Sequence, residues 1–80
     1  MDRAEAFNMI KADLIELFEI DEADITPEAD LMEDLGLDSI DGVDMMVRIQ
    51  ERTGQKVSPE QFEEVRTMSN LIDLIQSLNS

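Results

Sequence analysis

Residues 34–54 read DLGLDSIDGVDMMVRIQERTG, and the fold turns on this stretch. Projected at about 100° per residue, Asp41, Asp44, Arg48, Glu51 and Arg52 share one arc of a helix from Ser39 to Thr53. Ile40, Val43, Met45, Met46, Val47 and Ile49 fill a second arc, wider than one buried face requires. Gly54 closes the helix, as a residue free to turn left-handed. At the other end two residues compete for the cap. With Asp38 as N-cap, Asp41 falls at N3 and can reach back as the reciprocal acceptor. With Ser39 as N-cap, N3 is Gly42, which has no side chain. The first register gains one hydrogen bond, on the order of 1 kcal/mol. It leaves Ser39 at N1 with its hydroxyl outward, presented rather than used.

The chain on either side is also helical in pattern. A first helix from about Arg3 to Phe18 puts Phe7, Ile10, Leu14, Leu17 and Phe18 on one face, and Lys11, Asp13 and Glu16 on exposed positions. Asp2 and Glu5 give it a start resembling a capping box. The connection from Glu19 to Leu37 is longer than the ~12–15 residues that compact domains usually tolerate without structure. Ile20, Ile25, Leu31, Met32, Leu35 and Leu37 are spaced along it as anchors, so it is expected to pack over the core with one short helical turn. Ser58-Pro59-Glu60-Gln61 starts a third helix, with Val57 and Phe62 at the staple positions. That helix is short, because Thr67 opens the next, from about Met68 to Leu78, with Met68, Leu71, Ile72, Ile75 and Leu78 inward. No strand pattern competes. The expected fold is all-α: an up-down four-helix bundle of three main helices and a short third, with a long first loop, in one domain over residues 1–80.

Composition narrows the chemistry. The 80 residues include neither cysteine nor histidine, which removes disulfides, thiolate metal sites, the commonest zinc ligand and the commonest general base. No apolar run approaches ~18 residues and no basic segment precedes one, so neither a membrane span nor a signal peptide is expected, and residence is expected to be cytoplasmic. Twenty acidic residues against six basic ones give a net charge of −14, which repels nucleic acid and anionic membranes. The same field speeds encounter with basic patches on other proteins. As a nucleophile Ser39 finds no histidine base and no G-x-S-x-G elbow, and its carboxylate neighbours disfavour an oxyanion. A phosphate ester is better placed, since a helix N-terminus offers N–H groups and the positive end of its dipole. Asp38 and Asp41 oppose any anion there and need a reason of their own, such as contact with a metal or a basic partner during modification.

The segment D-L-G-L-D-S-I-D, Asp34 to Asp41, resembles the phosphopantetheine attachment motif of acyl carrier proteins, and the helical layout around it is similar over nearly the whole chain. The resemblance implies a discrete carrier rather than an enzyme, with Ser39 bearing 4′-phosphopantetheine through a phosphodiester. The arm would come from coenzyme A by a magnesium-dependent holo-carrier-protein synthase, and its thiol would hold acyl groups as thioesters for fatty acid or polyketide-like synthesis. It also implies that the helix after the serine meets acyl-loading, condensing and tailoring enzymes through their basic grooves. Carried over by position, Asp38, Asp41, Asp44 and Glu51 would supply charge and Leu37, Val43 and Val47 apolar contact, with Met45, Met46 and Ile49 facing inward. The carrier is expected to be a monomer.

Several residues depart from the family pattern. Arg48 and Arg52 bring positive charge to a helix that is usually acidic, and Gln50 is neutral where acid is common. Ile40 replaces leucine, and Gly42 stands where a larger residue is typical. These leave the pathway open, including a specialised aminoacyl or peptidyl carrier. An unmodified acidic interaction bundle is a rival of another class, distinguishable because it would keep its unmodified mass beside a pantetheinyl transferase. An EF-hand is not: from Asp30, loop positions 3 and 6 are Met32 and Leu35, and from Asp21 they are Ala23 and Thr26.

Overall fold

The computed structural model describes residues 2–78. Four α-helices follow in order: α1 (Arg3–Phe18), α2 (Ser39–Thr53), α3 (Pro59–Glu63) and α4 (Met68–Leu78), with a 3₁₀ turn at Glu22–Asp24 in the long loop. The all-α expectation and the four helices hold. Among the described residues the only β feature is an isolated bridge between Asp30 and Thr67. α1 packs on α4, and α2 packs on α3 and α4. The core between them is built from Ala6, Ile10 and Leu14 of α1, Met45 and Ile49 of α2, and Met68, Leu71, Ile72 and Ile75 of α4.

Each helix starts where a side chain satisfies its orphan N–H groups. Asp2 accepts from Glu5 N at 2.8 Å. Ser58 Oγ accepts from Gln61 N at 3.2 Å while Gln61 Oε1 accepts from Ser58 N at 3.0 Å, the box expected from the sequence. At α4, Thr67 Oγ1 accepts from Asn70 N at 3.2 Å. Two further N–H groups of that first turn, Met68 and Ser69, donate to the carbonyls of Ala29 and Pro27 in the long loop, at 3.0 and 2.9 Å. Leu31 N donates to Arg66 O at 2.8 Å beside them. The loop is thus tied to the α3–α4 connection by backbone bonds, and Ile25, Ala29, Leu31, Leu35 and Leu37 plug into the core beneath it. It is ordered and packed, with its one short helical turn.

Met32, Leu17 and Asp13 sit elsewhere than the sequence pattern placed them. Met32, expected as an anchor, is 61% exposed. Leu17, expected on the buried face of α1, is 36% exposed, because α1 turns Ala6, Ile10, Asp13 and Leu14 inward instead. Asp13, expected at the surface, is fully buried. It is held there by Arg52 at 2.6 Å and Arg48 at 3.4 Å, both from α2. The two arginines that break the acidic pattern of α2 therefore compensate a carboxylate from α1. Arg48 also lies 3.8 Å from Glu16. The hydrogen bond that Arg52 donates to Asp13, and then the charge of Asp13, raise the Arg52 pKa above the ordinary arginine value. Among the described residues Asp13 Oδ2 has no hydrogen-bond partner.

Candidate functional site at the N-terminus of α2

The loop delivers α2 by a chain of carboxylate caps. Asp30 Oδ1 accepts from Met32 N and Glu33 N at 2.9 Å each, and Asp34 Oδ2 accepts from Asp30 N at 2.7 Å. Leu37 N returns to Leu31 O at 2.9 Å, closing the turn. Gly36 lies inside it at φ 73°, a left-handed conformation that any side chain would strain. The next residue in line, Asp38, is the N-cap. Its Oδ1 accepts from Ile40 N and Asp41 N at 2.9 Å each, and Asp41 Oδ2 accepts from Asp38 N at 3.2 Å. This is the reciprocal box that the sequence favoured. It also supplies a reason for two acids beside Ser39: both cap the backbone.

Asp38 engages the N–H groups of Ile40 and Asp41, which a phosphate at the helix start would otherwise use. The Ser39 hydroxyl is different. Ser39 is exposed, and among the described residues its side chain has no hydrogen-bond partner. It opens onto a pocket of about 320 Å³ between the long loop, α2 and α3, whose walls include Leu31, Leu37, Val43, Met46 and Phe62. An arm ester-linked at Ser39 fits this arrangement, with a free hydroxyl for its anchor and an apolar chamber beside it for what it carries.

The partner-contact residues divide. Asp38, Asp44 and Glu51 are exposed and Asp41 is half-buried. Val43 and Val47 are 56% and 46% exposed, and Ile40 is 72% exposed, so the excess of the apolar arc lies on the surface. Leu37 does not join them. It is 7% exposed and forms part of the core and of the pocket wall, which leaves it little surface for a partner. Met45 and Ile49 are buried and Met46 partly so. Sequence reasoning missed Met32 and Phe62 as pocket residues. The signal for Phe62 was Gly42, whose lack of a side chain admits the ring. A Cβ at Gly42 would stand 3.2 Å from Phe62 Cε1. Gln50 also has its reason, since its Oε1 accepts from Val57 N at 3.0 Å and ties the start of α3 to α2.

Residues 9–75 match the family model described as "Phosphopantetheine attachment site". The chain is 46% identical over 78 residues to "Acyl carrier protein 2" of Ralstonia nicotianae, covering 98% of this chain and 96% of that protein. It is 38% identical over 78 residues to "Acyl carrier protein" of Saccharopolyspora erythraea, covering 98% and 82%, and 35% identical over 77 residues to that of Coprothermobacter proteolyticus, covering 96% and 94%. The chain belongs to the acyl carrier protein family. It is a carrier with a phosphopantetheine arm in acyl-chain biosynthesis, not an enzyme. No described helix is long and apolar enough to cross a membrane.

Proposed function

We propose that Ser39 is the attachment point of the 4′-phosphopantetheine arm, and that the pocket beside it shelters the apolar part of the acyl group. The observation that carries this reading is a free, exposed hydroxyl at the mouth of an apolar chamber, on a helix already capped by its neighbour. When bound, the arm supplies a thiol that this cysteine-free chain lacks. The protein's own work is positional. Asp38 and Asp41 hold the first turn of α2 in place, so that Ser39 meets a holo-carrier-protein synthase with its hydroxyl uncommitted. Ser39 Oγ then forms a bond to the pantetheine phosphorus of coenzyme A. The pyrophosphate bond breaks, adenosine 3′,5′-bisphosphate leaves, and the serine proton passes to a base of the synthase.

Docking is proposed for the outer face of α2. Asp38, Asp41, Asp44 and Glu51 present charge to basic patches on the synthase and on acyl-processing enzymes, and Val43 and Val47 fill apolar hollows there. Leu37 supports this face from beneath. The carrier is proposed to act as a monomer serving cytoplasmic enzymes of fatty acid or polyketide-like synthesis. Incubation with coenzyme A, magnesium and a holo-synthase should add one phosphopantetheine by intact mass, and Ser39→Ala should abolish the addition with helicity unchanged. An addition that persists in Ser39→Ala refutes the assignment.

A further inference from the structure

We infer that the Gly42–Phe62 contact sets the length of acyl chain that the pocket admits, an inference that rests on the pocket being the cargo shelter. Gly42 is one turn beyond Ser39 in α2, in the helix interior, where glycine is less favourable than alanine. Its backbone does not require glycine, since its φ is not among the positive values in the chain. What requires it is the neighbour. The missing Cβ would meet Phe62 Cε1 at 3.2 Å and Cδ1 at 3.7 Å, so a side chain here would push the ring away from α2 by a few tenths of an ångström.

Phe62 is held in that position from the N-terminal end of α3. It follows the Ser58–Gln61 box in α3, and the residue before that box is pinned to α2 by Gln50. The ring is half-buried, lies against Gly42 and lines the pocket from α3. The ring thus takes the space of a missing side chain in the wall of the same pocket that Ser39 lines. The chamber holds about 320 Å³ with the ring in place. That space is finite, so an acyl chain fills it at some length. A longer chain must displace Phe62 or remain in water.

The experiment loads the intact protein through its arm with straight acyl chains of about 4 to 14 carbons, and reads the rate at which hydroxylamine releases each. Each methylene that enters the pocket should slow release by up to about fourfold, the ratio expected from apolar burial, until the chamber is full. Wild type should level off within this range of lengths. Phe62→Ala, and the milder Phe62→Leu, should move that limit to longer chains. Gly42→Ala should move it to shorter ones, because the new methyl narrows the chamber. Circular dichroism establishes that each variant is folded, and Phe62→Leu serves if Phe62→Ala is not. The same limit in wild type, Phe62→Leu and Gly42→Ala overturns the inference while leaving the shelter intact. Release independent of chain length in wild type overturns the shelter, and the inference with it.

Discussion

Replacing Asp13 by leucine should leave the protein about as stable as it is, although it deletes both ion pairs to α2. The carboxylate is fully buried, and Oδ2 has no partner among the described residues. A buried polar atom left unsatisfied costs about 1–3 kcal/mol, which offsets much of what the pairing returns. The arginine side chains retain 24% and 40% of their exposure, so both heads can return to water when Asp13 is removed. A hydrophobic residue in place of a buried ion pair is often neutral or stabilising, and the expected change is within about 1 kcal/mol. The complementary change behaves otherwise. Arg48→Ala with Arg52→Ala strands the Asp13 carboxylate in the core, and an uncompensated buried charge costs about 3–5 kcal/mol. A domain of this size has only about 4–12 kcal/mol in all, so most of its margin goes. Urea unfolding followed by circular dichroism separates the two cases through the midpoint, at similar slopes. A loss of more than about 3 kcal/mol in Asp13→Leu would show that the ion cluster outweighs its desolvation, against this reasoning. A wild-type midpoint in the double-arginine variant would show that Asp13 escapes burial.

Asp38→Ala should cost about 1–2 kcal/mol, because the N–H groups of Ile40 and Asp41 lose their acceptor, whereas Ser39→Ala should change stability by less than about 0.5 kcal/mol; thermal melts decide. Sodium chloride or millimolar magnesium should raise the melting temperature by screening the net charge of −14, and a melt indifferent to ionic strength would show that the charges are too dispersed to matter. Asp44→Lys should slow modification by a holo-synthase at low salt and less so at high salt, while Val43→Ser should raise dissociation with little salt dependence; stopped-flow rates at two ionic strengths test both. Arg48→Glu, which on charge alone would quicken association, should instead destabilise the fold, since it sets a second carboxylate against Asp13. The Arg52 pKa is raised by Asp13, so its contribution is fully present below the ordinary arginine value and lost only as pH climbs above it; an Asp13→Leu variant should therefore show the same stability profile as wild type across neutral to mildly alkaline pH, measured by urea midpoints.

The sequence by itself determined the helices and the presentation of Ser39, because those depend on contacts within four residues. Asp38 with Asp41, and Ser58 with Gln61, fix where α2 and α3 begin through bonds whose partners stand three positions apart, so spacing is enough to see them. Gly54 ends α2 at φ 71° for an equally local reason. The apolar excess of α2 was legible too, since its arc was wider than a core needs. Whether Val43 and Val47 faced the core or the solvent was not, because that depends on which elements pack beside α2. Tertiary structure alone decided Asp13. Its position looks solvated on a helical projection, and the arginines that permit its burial lie 35 and 39 residues further along the chain. Gly42 is the same kind of case. Its spacing says only that a side chain is missing, and the ring that takes the space arrives from α3, 20 residues later, once Gln50 has drawn the two helices together. Local hydrogen bonding chose the elements, while burial, which couples residues far apart in the chain, chose what each exposed position means.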